Sequence, residues 1–330
     1  MRTAGLRTAG LVLAGVLVLA GAVAGWAYLR LDGNIKSVDI DQALGDDRPP
    51  RRTPAPSASP VPEGPLNILV LGSDTRSGAE NARLGGGDGG GGRSDVTMIV
   101  HLDAGRTSAT VVSIPRDTLV DRPSCPLPSG GRTQPRQGAM FNTAYELGGP
   151  VCAVKTVERL TDIRMDHYVE IDFAGFAALV DAVGGVTVTT EQDIDDEDSH
   201  LRLDEGTHLL DGEQALALAR TRHGIGDGSD LGRIGLQQQL VEALLEQISS
   251  GGLFTDPARL YRIADTVTGS LTTDTGLDSL GELTDLGGSL AGLSADRVET
   301  VLMPVVQAPW NRNRVVADEP EAEELWESLR

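Results

Sequence analysis

The stretch SDVTMIVHLDAGRTSATVVSIPRDT, residues 94–118, holds two runs rich in β-branched residues on either side of a short polar turn. The runs at 94–102 and 107–115 flank the tetrapeptide DAGR, an arrangement that is typical of a β-hairpin. A third apolar run, LNILVLG at 66–72, ends in glycine and predicts a buried strand. Together these runs predict a sheet that contains antiparallel strands.

Further helical and strand patterns alternate along the chain. Helical periodicity covers 150–162, 173–183, 212–220 and 230–248, and strand patterns cover 166–172, 186–190 and 297–304. This alternation predicts an α/β fold, and the antiparallel hairpin makes its central sheet mixed. The chain has 330 residues, of which 40% are hydrophobic, which is sufficient for one large domain. We place this domain at 66–310.

The N-terminal region predicts a membrane anchor. The run TAGLVLAGVLVLAGAVAGWAYL at 8–29 carries no charge, and as a helix rising about 1.5 Å per residue it can cross a bilayer. We therefore expect one transmembrane helix at 9–29, with residues 1–8 in the cytoplasm because two arginines precede the helix. The folded domain is then extracytoplasmic, held at the cell membrane by a single pass. The alternative is a signal peptide cleaved after AVA at 22–24, although the apolar run exceeds the usual signal length.

Two further kinds of segment are expected to lie outside the packed core. Seven of the 21 residues from 45 to 65 are proline, so we assign 30–65 to a semi-extended linker. The acidic segments at 191–205 and 311–330 predict a solvated loop and an acidic C-terminal tail.

The cysteines and the net charge narrow the class of protein. Both cysteines, Cys125 and Cys152, follow the predicted anchor. In an oxidising compartment we expect them to form a disulfide, and the alternative is a pair of buried thiols. A formal net charge of −20 argues against nucleic acid as a partner. The cysteines and histidines do not cluster in a way that would bind zinc.

Charged residues accumulate where the first three predicted strands begin or end. If 66–72 pairs antiparallel with 94–102, the end of the first strand, the start of the second and the end of the third meet at one sheet edge. That edge collects three aspartates and three arginines: Asp74, Arg76, Arg93, Asp95, Arg116 and Asp117. Aspartates from separate turns suit Mg²⁺, and arginine forks bind phosphate oxygens. The alternative is a set of surface ion pairs that contribute little to stability.

A second group of cations lies in ALARTRHGIGDGSDLGRIGLQQQ, at 217–239. Arg220 and Arg222 lie at the end of one predicted helix, and Arg233 and Gln237 share a face of the next at i and i+4. Together with the cations of the sheet edge, these side chains predict a ligand with several negative oxygens, such as a pyrophosphate.

Seven segments of the chain form an ordered set of motifs. They are NILVLGSDTR at 67–76, RSDVTMIV at 93–100, VVSIPRDT at 111–118, FNTAYELGG at 141–149, VEIDFAGFAALVDAVGGVTV at 169–188, LDGEQALALARTRH at 210–223 and DLGRIGLQQQ at 230–239. In this order they resemble the LytR-CpsA-Psr family of cell-wall ligases, and the resemblance covers about residues 66–250. It implies a three-layer α-β-α fold with a central mixed sheet, preceded by one transmembrane helix, and a polyprenyl tunnel between sheet and helices.

The resemblance also implies an activity and a set of site residues. Members of this family are extracytoplasmic phosphotransferases that use Mg²⁺, for which Mn²⁺ can substitute. They move a glycopolymer phosphate, such as that of wall teichoic acid, from an undecaprenyl-pyrophosphate carrier in the membrane to a peptidoglycan hydroxyl. The resemblance implies that Asp74 and Asp95 bind the metal. It implies that the pyrophosphate is bound by Arg76, Arg93, Arg116, Arg220, Arg222, Arg233 and Gln237. The catalytic group then comprises Asp95, Arg116, Asp117, Arg220 and Arg222, with either Asp95 or Asp117 as acceptor of the hydroxyl proton.

Two other functions stay open at the level of sequence. A pyrophosphatase would use the same side chains, with water in place of the sugar hydroxyl. A non-catalytic lipid-binding or regulatory membrane protein would use them for binding alone.

Overall fold

The structure is a computed structural model that describes residues 21–51, 64–74, 81, 83, 84, 92, 94–221, 230–249 and 257–330. The strands are β1 (Lys36–Val38), β2 (Leu66–Ser73), β3 (Ser94–Leu102), β4 (Ala109–Ser113), β5 (Leu119–Arg122), β6 (Arg136–Met140), β7 (His167–Asp172), β8 (Val186–Thr190), β9 (Ile194–Asp196), β10 (Leu201–Leu203), β11 (Gly206–Leu210), β12 (Leu271–Asp274), β13 (Val298–Leu302), β14 (Val305–Ala308) and β15 (Asn311–Ala317). The helices are α1 (Ile40–Leu44), α2 (Asn142–Thr161), α3 (Phe173–Val183), α4 (Gly212–Arg220), α5 (Asp230–Ser249), α6 (Pro257–Ser270), α7 (Leu280–Ser289) and α8 (Glu321–Leu329). Residues 21–32 are also helical.

The centre of the molecule is a seven-stranded sheet in the order β1-β12-β7-β2-β3-β4-β13. Strand β3 pairs antiparallel with both β2 and β4, whereas β2 pairs parallel with β7 and β4 pairs parallel with β13. The predicted mixed sheet and its hairpin are therefore confirmed. Four antiparallel two-stranded sheets surround it: β5 with β6, β8 with β11, β9 with β10 and β14 with β15.

Helices cover both faces of the central sheet, which gives three layers. Alternate residues of β2 point to opposite faces because the side-chain period of a strand is two. Leu69 and Leu71 join a core with residues of α2 and α8, including the fully buried Trp326. Ile68 faces the other way and packs in a cluster with Leu286 of α7.

A separate apolar cluster joins α3, α4 and α5 to the small sheets β8–β11 and β9–β10. Helices α3 and α4 approach closely at Gly212, where a Cβ atom would lie 2.0 Å from the carbonyl oxygen of Ala177. No larger residue fits at this contact. The cluster positions α4 and α5 against the same sheet face that carries Ile68 and Val70, and this packing creates the site described below.

The predicted disulfide is present. Cys125 and Cys152 are linked, with 5.2 Å between their Cα atoms, and both residues are fully buried. The bond joins the loop after β5 to α2. Buried thiols, the alternative from the sequence, are therefore wrong for this structure.

Three segments that we expected outside the core are folded parts of the domain. Within the expected linker, β1 pairs with β12 and α1 buries Ile40 and Leu44. Within the acidic loop, β9 and β10 bury Ile194, Leu201 and Leu203. The expected tail forms β15 and α8, and α8 directs Trp326 into the main core while its acids stay outside. Each of these segments carries a few apolar residues at regular spacing among many charges, and those residues determine the packing.

The described helices include none with the length and hydropathy required to cross a membrane. Residues 9–20 of the expected anchor lie outside the described part of the chain.

Candidate active site

Four strand ends meet at one edge of the central sheet. Ser73, the last residue of β2, lies opposite Ser94 of β3 on one side and Asp172 of β7 on the other. Beyond β4 the chain stays close to β3, because the amide of Ile114 donates to the carbonyl of Thr97. The edge predicted from the hairpin is therefore formed, and it presents Asp74, Asp95, Arg116 and Asp117.

Asp95 occupies a β-bulge. The register between β2 and β3 shifts so that Gly72 faces Val96 and Ser73 faces Ser94, which leaves Asp95 as the extra residue. Bulges of this kind redirect a side chain and are frequent beside functional sites. The strands come so close here that a Cβ on Gly72 would lie 2.9 Å from Cβ of Val96. Gly72 is thus a steric requirement for the position of Asp95.

Asp95 is held by Arg116. Nη1 of Arg116 donates to Oδ1 of Asp95 at 2.5 Å, and both side chains are largely shielded from solvent, with 16% and 21% of their surface exposed. In a shielded pair of this kind the attraction is stronger than on an open surface. The second carboxylate oxygen, Oδ2, accepts no hydrogen bond from the described residues, so it is available to a ligand.

The cations predicted on the helices face the same edge. Arg220, the last residue of α4, lies 5.1 Å over the ring of Phe173 and donates to the carbonyl of Leu84 at 2.5 Å. Arg233 and Gln237 share one face of α5 and are 3% and 6% exposed. Nε2 of Gln237 donates to the carbonyl of Ala219 at 2.9 Å, which ties α5 to the end of α4.

A cavity of about 420 Å³ lies between the sheet and helices α3, α4 and α5. Its walls are apolar and include Val70, Met98, Ile171, Phe173, Phe176, Leu179, Leu216, Leu240, Val241 and Leu244. Its polar lining consists of Asp95, Asp172, Asp198, Arg220, Arg233 and Gln237. An apolar space bordered by arginines and aspartates fits an amphiphile with an anionic head. The sequence pattern of α5 alone could not distinguish the wall of such a cavity from an ordinary core helix.

Sequence reasoning missed Asp172 and Arg314. Asp172 accepts from the amide of Gly175 at 2.7 Å, which caps α3, and from Asn81 at 2.9 Å. The signal was present, since an aspartate between a strand and a helix is a common N-cap. Arg314 approaches Oδ2 of Asp117 at 3.5 Å from strand β15. Because Arg314 lies far from the hairpin in the sequence, no sequence pattern indicates this contact.

Behind the edge, Glu170 of β7 is buried among three hydroxyl groups. Ser73 donates to Oε1 at 2.6 Å, Tyr145 donates to the same oxygen at 2.5 Å, and Tyr168 donates to Oε2. Burial, followed by the charge of Glu170, raises the pKa of both Tyr145 and Tyr168 above the ordinary tyrosine value. Both tyrosines therefore stay protonated and donate at neutral pH. Ser73 immediately precedes Asp74, so this network fixes the strand end that carries Asp74.

Of the remaining predicted site residues, only Asp74 belongs to the described part of the chain. Asp74 is half-buried at the end of β2, and its charge contributes to the raised pKa of Tyr145. Arg76, Arg93 and Arg222 lie outside the described residues. Within the described ranges, no group of three or more His, Cys, Asp or Glu side chains is arranged to hold a metal ion.

Two bacterial proteins are similar in sequence to this chain. The chain is 34% identical over 272 residues to a probable cell wall biosynthesis protein, LcpB, of Corynebacterium glutamicum, covering 80% of this chain and 61% of that protein. It is 35% identical over 222 residues to a polyisoprenyl-teichoic acid–peptidoglycan teichoic acid transferase, TagU, of Halalkalibacterium halodurans, covering 67% of this chain and 64% of that protein. It therefore spans about three fifths of the length of these two relatives.

The fold agrees with a solved structure. The LytR-Csp2A-Psr enzyme from Actinomyces oris superposes with a TM-score of 0.61 at 26% identity, covering 86% of this chain and 96% of that chain. A family model described as the LytR_cpsA_psr family matches residues 27–330. The matched range includes the strand ends at the sheet edge, helices α4 and α5, and the residues that line the cavity. The chain therefore belongs to the LytR_cpsA_psr family.

Proposed function

We propose that this protein transfers a glycopolymer phosphate from a polyprenyl-pyrophosphate carrier to a hydroxyl group of peptidoglycan. The observation that carries the proposal is the apolar cavity whose polar lining combines Asp95 with Arg220, Arg233 and Gln237. This combination suits a long apolar chain and a pyrophosphate in one molecule. The teichoic acid transferase named among the relatives, and the cell wall biosynthesis protein, support the same class of reaction.

Substrate binding follows from the chemistry of the lining. The polyprenyl chain lies along Phe176, Leu179 and Leu244, where its burial removes apolar surface from water. The pyrophosphate then reaches the guanidinium groups of Arg220 and Arg233. Charge-assisted hydrogen bonds to phosphate are about twice as strong as neutral ones, and they are strengthened further by the low exposure of Arg233.

The donor set at the edge fits a magnesium ion only together with substrate. Asp74 and Asp95 would hold Mg²⁺, or Mn²⁺ in its place, because these ions are usually bound by one or two carboxylates plus phosphate oxygens and water. When bound, the metal supplies positive charge to the phosphate oxygens. The geometry of Asp95 supports this role, because the hydrogen bond from Arg116 goes to Oδ1 and no described residue donates to Oδ2.

The protein's own residues carry the transfer step. The acceptor oxygen forms a bond to the phosphorus attached to the sugar, and the bond from that phosphorus to the bridging oxygen breaks. The leaving group is polyprenyl phosphate, whose developing charge Arg220 and Arg233 stabilise. We assign the hydroxyl proton to Asp117 rather than to Asp95, because Asp95 is already engaged with Arg116, whereas among the described residues Asp117 forms only the longer ion pair with Arg314.

We further propose that the domain acts outside the cytoplasm, anchored by residues 9–29. The support is the uncharged run of the sequence and the Cys125–Cys152 disulfide, since disulfides persist mainly in oxidising compartments. Protease added to intact cells should digest the domain and leave the anchor fragment in the membrane. Release of the whole domain into the medium would instead identify a cleaved signal peptide.

A reconstitution separates the three candidate functions. The purified protein is incubated with a polyprenyl-pyrophosphoryl oligosaccharide, Mg²⁺ and peptidoglycan fragments, and the products are identified by mass spectrometry. We expect a peptidoglycan fragment that carries the sugar phosphate. Free sugar phosphate without an adduct would identify a pyrophosphatase, and unchanged substrate that stays bound would identify a lipid-binding protein.

A further inference from the structure

A second large concave site lies away from the proposed active site. It is a cleft of about 990 Å³ between the β5–β6 hairpin, the second half of α2 and the segment 46–50. It shares no lining residue with the cavity between the sheet and α3, α4 and α5. Helix α2 packs on the opposite sheet face from that cavity, so a ligand in the cleft would not touch the proposed catalytic residues.

Some charges of the cleft neutralise one another. Glu158 is buried and accepts two hydrogen bonds from Nε and Nη2 of Arg48, at 3.0 and 2.6 Å. Lys155 pairs with Asp47 and also donates to the carbonyl of Ser124 at 3.0 Å. These pairs are internal to the fold and leave no net charge for a ligand.

Three arginines of the same cleft have no carboxylate partner among the described residues: Arg122, Arg136 and Arg159. The other acids that line the cleft are exposed, and they form no ion pair with these arginines within the described ranges. They are Asp46, Asp121 and Asp162. The cleft is lined by six basic and five acidic side chains, and within the described ranges three of its arginines form no ion pair, in a molecule whose net charge is −20.

Arg122 is the most unusual of the three. It is only 7% exposed, its Nη2 donates to the carbonyl of Gln134 at 2.7 Å, and its Nε has no hydrogen-bond partner among the described atoms. Burial, followed by the like charge of Arg136, lowers the pKa of Arg122, so both effects oppose its positive charge. A buried cation without a counter-ion is costly unless something pairs with it.

We propose that this cleft binds an anion carrying phosphate or carboxylate groups, with Arg122 at its base and Arg136 and Arg159 at its rim. Guanidinium groups match both kinds of oxyanion because their planar fork offers parallel donors. The volume exceeds that needed for an inorganic ion and fits a sugar phosphate or a short acidic peptide. The proposal does not depend on the transfer reaction, because its test measures binding at residues that the reaction does not use.

The test measures the melting temperature of the full chain in detergent with phosphate, with citrate, and with sodium chloride at matched ionic strength. A ligand that binds only the folded state raises Tm with its concentration, and matched salt controls for screening. The variant Arg220→Gln serves as background, so that phosphate bound at the proposed active site contributes less. We expect phosphate or citrate to raise Tm above the sodium chloride value. Because these anions also stabilise folded proteins without binding, only the part of the rise that depends on the cleft arginines is assigned to the site.

The location is tested by two double variants with the same change in charge. Arg136→Gln with Arg159→Gln should weaken the anion effect at least fivefold in apparent affinity, and neither exposed side chain is needed for folding. The control, Arg262→Gln with Arg297→Gln, removes two exposed arginines elsewhere and should keep the parent affinity. Equal anion effects in the two double variants, or no effect beyond that of sodium chloride in the parent, would overturn the proposal.

Discussion

The buried carboxylate of Glu170 collects hydrogen bonds from several parts of the fold behind the sheet edge. The carboxylate of Glu170 receives hydroxyl groups from Ser73, Tyr145 and Tyr168, which come from three different elements. The hydroxyl groups satisfy a carboxylate that would otherwise be buried without partners. We regard Glu170 as a positioning residue for the strand end at Ser73 and Asp74.

The substitution Glu170→Gln should destabilise the fold by about 1–3 kcal/mol, because a neutral amide accepts fewer hydrogen bonds and leaves a buried hydroxyl without an acceptor. The quantity to measure is the free energy of unfolding in urea. Glu299→Gln, at the exposed position of β13, is the matched control and should change the free energy of unfolding by less than about 0.5 kcal/mol. An equal effect of the two substitutions would show that the network contributes nothing specific.

The same network predicts a response to alkaline pH. The pKa of Tyr145 and that of Tyr168 are raised in the folded protein, so folding favours their protonated forms. Their contribution to stability is therefore complete below the unfolded tyrosine pKa of about 10 and is lost as the pH rises above it. Urea unfolding between pH 8 and 11 should show stability falling at the upper end, and the fall should be smaller in Tyr145→Phe. A fall of the same size in both proteins would contradict this account of the tyrosines.

At the scale of elements, the hairpin and the helices could be predicted because their signals are local. Period-two β-branched runs gave β3 and β4, and one antiparallel pairing was enough to bring Asp95, Arg116 and Asp117 together. The N-cap pattern marks Asp172 locally, but its position at the edge depends on the parallel pairing of β7 with β2, which no local signal shows. Helix α8 was assigned to a tail because four of its nine residues are acids, although Ala322, Trp326 and Leu329 recur at helical spacing.

The disulfide links two elements, and its removal should be measurable. It closes a loop with a sequence separation of 27, for which the chain-entropy relation gives roughly 3.5 kcal/mol. Cys125→Ser together with Cys152→Ser should lower the free energy of unfolding by about that amount, and a reductant should lower the parent to the same level. A parent whose stability is unaffected by reductant would show that the bond does not form in solution.

The wall of the cavity can be altered on one helix. Val241→Trp on α5 should fill part of the cavity and weaken binding of undecaprenyl phosphate at least tenfold, measured by native mass spectrometry. Glu246→Trp places the same side chain on an exposed position of α5 and should bind like the parent. Equal binding by both variants would mean that the polyprenyl chain does not lie in this cavity.

At the scale of the whole molecule, two opposite sheet faces are used differently. One face builds the main core with α2 and α8, and the other shares its apolar residues between α7 and the cavity. The sequence could predict the edge where charge collects, but not that an apolar space opens beside it. Helices α3, α4 and α5 share an apolar cluster with the small sheets, and the space lies between these helices and strands β2 and β3.

The most direct test of the central claim measures transfer by an arginine variant at the cavity. Peptidoglycan-linked sugar phosphate is quantified by mass spectrometry for the parent, for Arg220→Ala and for Arg202→Ala, whose arginine is exposed and paired with Asp195. If Arg220 stabilises the pyrophosphate in a shielded site, its loss should cost about 2–4 kcal/mol in the transition state, or roughly 30- to 1000-fold in rate. Arg202→Ala should keep the parent rate. Transfer by Arg220→Ala within about fivefold of the parent would contradict the account, because a loss that small is typical of a solvent-exposed contact.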